Sequence, residues 1–340
     1  MDKLHVLMTL RFSEDQVNRV RAVSPQLEVV QKSVRENWDG MDTGELFDGN
    51  EEILYGFMPP RNLAAAPRLK WVQLHSAGIN HLGGHPILKS DIRITTSSGI
   101  HAVPIGEFAI TLMLALARRV PRMVRMQDRG LWPEHRWKTF VGTELRGKSL
   151  GIVGYGSIGR ETARIAKQGF GMRILALTRG GDKRDRGYHE PGVGDPEGTL
   201  PDAWFIRAQL NDLLAESDFV LISTPLTDET RNLIGAAELH AMKPTAFIVN
   251  IARGGIVGEA ALVSALKEDW IAGAGLDVFE KEPLPAESEL WKLQNALIAP
   301  HVSGATLHYD DRAAELFSEN LRRYLNGETL LNLVDRQAGY

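Results

Sequence analysis

The run Leu150-Gly-Ile-Val-Gly154-Tyr-Gly156-Ser-Ile-Gly159-Arg-Glu-Thr-Ala constrains this chain more than any other stretch. An apolar β-type run enters a Gly-x-Gly-x-x-Gly turn and leaves with helical composition, so strand, tight turn and helix must follow one another directly. Gly154 permits the turn, Gly156 lets the backbone approach a pyrophosphate, and Gly159 lets the helix pack on its strand. The first N–H groups of that helix then face the phosphates. Tyr155, Ser157 and Ile158 complete the turn. The expected ligand is a dinucleotide.

The strand after such a turn ordinarily ends on a carboxylate, about twenty residues on, that accepts hydrogen bonds from the adenine ribose. Thr178 and Arg179 stand there instead. A guanidinium suits a 2′-phosphate, which NADP carries and NAD does not, and Lys183 and Arg184 add positive charge nearby. NADP is therefore the preferred cofactor on this reading and NAD the alternative, because the adjoining loop offers Asp182 or Asp185 to the ribose.

A length of 340 residues exceeds what one hydrophobic core usually serves, so two domains joined by a hinge are expected. Short β-rich runs at Leu4–Leu10, Leu27–Gln31, Ile53–Phe57, Leu69–Leu74 and Ile92–Thr96 alternate with polar stretches, the rhythm of a parallel sheet. From Val103 to about Met126 the apolar positions recur at helical spacing. A second series of six runs begins at Leu150 and continues at Arg173–Leu177, Phe219–Ser223, Ala246–Ile251, Gly275–Val278 and Leu297–Ala299. Ala305–Asn326 is an amphipathic closing helix. Gly180–Pro201, crowded with Gly, Pro, Asp and Arg, reads as a long surface loop. The expected architecture is α/β with two Rossmann-like or flavodoxin-like parallel-sheet domains: residues 1–99 plus 305–340 in one, and 100–304 in the dinucleotide-binding other.

Composition narrows the function classes. A net charge of -4 offers nucleic acid no general attraction, and no run of eighteen uncharged apolar residues suggests a membrane span. The sequence has no cysteine, which removes disulfides, thiolate metal sites and cysteine nucleophiles. A cytoplasmic protein is expected. His75, His81 and His85 lack ligand spacing and accompanying carboxylates, so no metal is expected. The basic run Arg118–Arg129 reads as a solvated helix face or an arm against a second subunit.

Three further segments carry chemistry: Val249-Asn-Ile-Ala-Arg253-Gly-Gly, Asp277-Val-Phe-Glu-Lys-Glu282-Pro, and Ala299-Pro-His301-Val-Ser-Gly304. Singly, each polar residue has a plain structural explanation as a turn arginine, a loop glutamate or a core histidine. Together, on loops that follow strands of one sheet, they suit a ligand site. With the glycine turn, these motifs resemble those of the D-isomer-specific 2-hydroxyacid dehydrogenases, over roughly Leu69 to Asp335, which implies the formate/glycerate dehydrogenase type of fold. The resemblance implies that Arg253, Glu282 and His301 form the catalytic set. Arg253 would hold the substrate carboxylate and polarise the carbonyl, His301 would give and take the proton, and Glu282 would orient the imidazole and favour its charged form. It also implies substrate contacts from the Ser76-Ala77-Gly78 turn, with Arg253 and His301. Cofactor contacts are implied from Thr224, Pro225, Thr230, Ile251, Ala252, Arg253, Asp277, His301 and Gly304.

The implied activity is hydride transfer between a nicotinamide cofactor and a small 2-oxo or D-2-hydroxy acid, in the manner of a glyoxylate or hydroxypyruvate reductase. Relatives form dimers through the region that here holds Arg118–Arg129, Trp132 and Trp137, so a homodimer is expected. Two other readings stay open, a dinucleotide-binding corepressor-like module and a formate dehydrogenase-like enzyme, although that branch carries glutamine where Glu282 stands. Relatives also differ at Gly99–Glu107, where they bring a side chain to the cofactor, and in having a shorter loop than Gly180–Pro201.

Overall fold

The computed structural model describes residues 3–32, 43–180 and 183–336. Asp182, one of the two carboxylates that the loop offers to a ribose, lies outside the described residues. The chain divides into two compact units: residues 1–100, 186–190 and 306–340 in the first, and 101–185 and 191–305 in the second.

In the first unit, β1 (Leu4–Met8), α1 (Glu14–Arg21), β2 (Leu27–Gln31), β3 (Ile53–Gly56), β4 (Trp71–Leu74) and β5 (Arg93–Thr95) form a five-stranded sheet ordered β2-β1-β3-β4-β5. Each strand pairs in parallel with its neighbours. The start of α1 is fixed locally: Ser13 Oγ accepts from the Gln16 N–H, and Gln16 Oε1 accepts from the Ser13 N–H. That reciprocal cap satisfies two donors that a helix N-terminus would otherwise leave unpaired. The C-terminal helix supplies Phe317, fully buried against Tyr55 and Trp71 at centroid distances of 4.8 and 5.5 Å. Burying a ring of that size contributes on the order of 1.5–3 kcal/mol.

The second unit opens with α2 (Ala102–Ala117), α3 (Val120–Asp128) and α4 (Arg136–Thr139). The single helical stretch expected from Val103 to Met126 is thus two helices. Arg119 between them takes φ +56°, and Pro121 follows in the first turn of α3, where its missing N–H costs nothing. There follow β6 (Ser149–Val153), α5 (Ser157–Phe170), β7 (Arg173–Thr178), β8 (Ala203–Ile206), α6 (Leu210–Glu216), β9 (Phe219–Ile222), α7 (Ala236–Ala241), β10 (Phe247–Asn250), α8 (Glu259–Lys267), β11 (Gly273–Leu276) and β12 (Ala296–Ile298). The chain's last helix, α9 (Tyr309–Leu325), belongs to the first unit. Strands β6, β9 and β11 are buried along their whole length, as parallel strands covered on both faces must be.

The order of this sheet is β12-β11-β10-β9-β6-β7-β8, with seven strands where the sequence suggested six. The addition, β8, is an edge strand of four residues just after the Gly- and Pro-rich stretch, and only Phe205 in it is buried. A strand so short and so little buried leaves almost no periodicity to read. Strand order reverses between β6 and β9, which places the ligand crevice of such a sheet at their carboxyl ends.

Residues 186–190 lie inside the segment 100–304 that was expected to form one domain, yet they group with the first unit. There the Tyr188 ring is buried with Ile100 and Phe317, its N–H donates to Asn332 Oδ1 at 3.0 Å, and Glu190 pairs with Arg312.

Candidate active site

Two loops at the carboxyl edge of the second sheet are forced together by a glycine. A Cβ on Gly254, in the loop after β10, would lie 1.8 Å from the Phe279 carbonyl oxygen in the loop after β11, so no side chain fits. The contact brings Arg253 beside the loop that carries Glu282. Glu282 Oε1 accepts from the Phe279 N–H at 2.9 Å, and its other oxygen lies 2.7 Å from His301 Nδ1. With Nδ1 directed at the carboxylate, Nε2 is left for a reacting group, and the His301 side chain is 46% exposed.

His301 holds φ +54°, a left-handed conformation that costs a non-glycine residue roughly 1–2 kcal/mol. The groups that offset this strain come next in the chain. Asp277 is fully buried, and its two carboxylate oxygens accept from the N–H groups of Val302 at 2.8 Å and Ser303 at 2.9 Å. The residues following His301 are therefore tied to the end of β11. Arg253 is largely buried, and burial presses its guanidinium below the usual range while the charge of Glu282 opposes that shift. An arginine stays charged under such pressure, so the loop presents a fixed cation. Asn250 braces the same loop: its side chain donates to the Arg253 carbonyl and accepts from the Ala252 N–H. Ile251 and Ala252 are buried behind it.

At the switch point, Gly154 takes φ +101°, and a Cβ there would meet the Thr224 N–H nitrogen at 2.7 Å. The Ser223 hydroxyl donates to the Gly154 carbonyl, locking the turn after β6 to the loop after β9. That loop is pinned in turn by Thr230, whose Oγ1 accepts from the Thr227 N–H and donates to the Pro225 carbonyl. A Cβ on Gly156 would meet nothing within 4 Å, and no side chain caps α5, so open space and N–H donors coincide where a pyrophosphate would lie. The turn fits the dinucleotide that its sequence suggests. Gly304 sits where an added Cβ would approach the His101 ring at 3.2 Å.

The Gly180–Pro201 loop is fastened to this turn by Tyr155, which the sequence places in the cofactor turn, and by Arg160 and Glu161, to which the sequence reading gave no role. Tyr155 donates from its hydroxyl to Asp195 at 2.8 Å. Burial, then that hydrogen bond, raise its phenol far above the ordinary range, so it remains a neutral donor. Arg160, buried in the first turn of α5, donates to the carbonyls of Asp195 and Lys183, and Asp185 lies 3.7 Å from its Nε. Buried Glu161 accepts from the Gly194 N–H and pairs with Arg164. A charged pair directly after Gly159, on a helix that must pack against a sheet, was the available signal, since such residues are rarely buried without partners. Lys183 lies over the Trp204 ring and Arg184 pairs with Glu197. Thr178 donates to the Gly180 carbonyl, and Arg179 lies 3.5 Å from Glu229.

Ser76, Ala77 and Gly78 belong to the first unit, directly after β4, where the Ser76 hydroxyl donates to the Gly78 carbonyl and closes a turn. The three histidines weighed as metal ligands act separately: His75 Nδ1 lies 2.7 Å from the Tyr55 hydroxyl, His81 faces the Phe57 carbonyl, and His85 accepts from the Ile87 N–H.

Residues 110–303, more than half of the chain, match the family described as D-isomer specific 2-hydroxyacid dehydrogenase, NAD binding domain. The chain belongs to that family. It is 40% identical over 275 residues to a glyoxylate reductase of Korarchaeum cryptofilum, covering 80% of this chain and 78% of the relative. It is also 40% identical over 279 residues to a glyoxylate reductase of Thermococcus gammatolerans, with the same shares covered. A crystal structure of a D-isomer specific 2-hydroxyacid dehydrogenase from Xanthobacter autotrophicus Py2, in complex with NADPH and MES, is similar with a TM-score of 0.78 and 29% identity, covering 100% of both chains. The protein is a nicotinamide-dependent oxidoreductase of 2-oxo and 2-hydroxy acids. Among the described residues no helix is long and apolar enough to cross a membrane.

Proposed function

We propose that this D-2-hydroxyacid dehydrogenase reduces a small 2-oxo acid of the glyoxylate or hydroxypyruvate class, favours NADPH over NADH, and works as a homodimer. The observation that carries the reading is His301 Nδ1 held 2.7 Å from Glu282, which leaves Nε2 to serve the substrate.

The reduced nicotinamide supplies the hydride to the substrate's carbonyl carbon. His301 gives its Nε2 proton to the carbonyl oxygen and, in the oxidative direction, takes it back from the alcohol. Glu282 fixes the ring and its tautomer without itself reacting. Arg253 offers a planar fork to the substrate carboxylate and stabilises negative charge developing on the neighbouring oxygen. Asp277, whose oxygens are both used on the backbone after His301, is a positioning residue for the acid. The Ser76-Ala77-Gly78 turn, to which the family resemblance also assigns substrate contacts, offers backbone N–H groups suited to an anion. The names of the archaeal relatives support the small 2-oxo acid, and the bound cofactor of the Xanthobacter relative supports NADPH.

Dimer formation is supported by the arm after α3. Trp132 and Trp137 are 83% and 82% exposed, beside a cavity of about 610 Å³ lined by Met123, Met126, Leu131 and Phe140. Aromatic anchors next to an apolar groove suit a self-complementary contact.

Steady-state kinetics with a panel of 2-oxo acids and both reduced cofactors tests the reading. It predicts the highest kcat/KM with glyoxylate or hydroxypyruvate and NADPH. Cofactor binding without turnover on any 2-oxo acid would point instead to a corepressor-like module.

A further inference from the structure

Register places a second arginine next to the one expected to read the cofactor. Thr178 of β7 and Ile206 of β8 are directly paired, so the residues that follow them, Arg179 and Arg207, leave the sheet side by side at its carboxyl edge. Both guanidinium groups turn toward one carboxylate: Glu229 Oε1 lies 3.5 Å from Arg179, and Glu229 Oε2 lies 3.9 Å from Arg207.

Glu229 comes from the loop after β9, whereas the arginines follow β7 and β8, and β6 with its glycine turn runs between. The ion pairs therefore cross the edge on which an adenosine must lie if its pyrophosphate rests on the β6 turn. Glu229 is not placed there by chance flexibility, because the Thr230 hydroxyl and the bonds from Thr230 and Arg231 N–H to the Thr227 carbonyl pin its turn. The three side chains are 60%, 54% and 60% exposed, so water competes for each charge and the pairing is weak. A phosphate monoester, with a charge of about −1.5 to −2 and three acceptor oxygens, binds two guanidinium groups more strongly than one carboxylate does.

We propose that Arg207 and Glu229 select the cofactor: Arg207 joins Arg179 in a two-guanidinium subsite for the 2′-phosphate of adenosine, and Glu229 is the internal carboxylate that the phosphate displaces. This rests on the reading that a dinucleotide lies on the β6 turn with its adenosine at the end of β7. It assigns the selectivity to a balance between two arginines and one competing acid, and not to Arg179 alone.

Titration calorimetry of the full chain with 2′,5′-ADP and with 5′-AMP tests it, the two probes differing in the 2′-phosphate. Glu229→Gln is expected to tighten 2′,5′-ADP by about three- to tenfold, and Arg207→Ala to weaken it by a similar factor and flatten its salt dependence. Affinity for 5′-AMP should stay within about twofold in both, which also reports an intact fold. If wild type prefers 2′,5′-ADP and only Arg179→Ala changes that preference, the inference is overturned while the NADPH reading stands. If wild type shows no preference and Glu229→Gln creates one, the role of Glu229 stands and the NADPH reading falls. No preference in wild type or either variant overturns both.

Discussion

Behind His301 the anchoring carboxylate of Asp277 is buried and bonded to backbone, whereas around Arg179 the charged groups are exposed and bonded to one another. Asp277 has no exposed surface and spends both oxygens on the N–H groups of Val302 and Ser303, while Glu229 is 60% exposed and pairs with the exposed side chains of Arg179 and Arg207. A buried carboxylate paired with amides cannot be lost without leaving unsatisfied donors, each costing about 1–3 kcal/mol. An exposed ion pair contributes about 0–1 kcal/mol. The proposed chemistry is thus held by groups that resist change, and the proposed choice of cofactor by groups whose replacement barely touches stability.

The largest effect is expected at the proposed acid itself. His301→Ala should lower the rate of reduction by about 10²–10⁴-fold with cofactor binding retained, read from kcat and from cofactor fluorescence titration. Near wild-type turnover in a folded variant would remove His301 from the mechanism. Arg253→Ala should raise KM for the 2-oxo acid and lower kcat together, because the guanidinium acts on both bound substrate and transition state.

Asp277→Ala removes the anchor behind His301. Freed from its anchor, the strained backbone at His301 should relax, and kcat should fall by up to about a hundredfold, the scale of a misplacement of about 1 Å. Asp277→Asn, which keeps one acceptor oxygen, should recover part of that loss. Wild-type kcat in both variants would show that Val302 and Ser303 need no anchor.

The smallest effect belongs to the fastening of the Gly180–Pro201 loop. Tyr155→Phe removes one hydrogen bond to Asp195, whose oxygens still accept from the N–H groups of Thr199 and Leu200. The expected loss is about 1 kcal/mol, or roughly 2–4 °C in Tm for a unit of this size, measured by calorimetry. A much larger fall would mean that the loop is part of the unit's core.

Much of this site was legible in the sequence because its motifs are local. The glycine turn, the Arg253 loop and the His301 loop each fit within a few residues, and the strands before them announce themselves by apolar runs. The features that escaped are tertiary. Asp277 bonds residues 25 positions away, a pairing that no periodicity encodes. Arg207 gains meaning only once β8 is recognised as an edge strand in register with β7, and β8 is too short and too exposed to stand out. The placement of 186–190 with the first unit likewise depends on Tyr188 finding a buried site beside Ile100, far away in the chain.

In the proposed reaction one histidine moves one proton in opposite senses for the two directions. Initial rates of 2-oxo acid reduction and 2-hydroxy acid oxidation, measured across pH with saturating cofactor, test this most directly. Reduction should fade as pH rises and the donor proton is lost, and oxidation should fade as pH falls and the acceptor is protonated. Both limbs should vanish from the residual activity of His301→Ala. Profiles that fall in the same sense in both directions, or that survive unchanged in His301→Ala, would contradict the assignment of His301 as the shuttling acid and base.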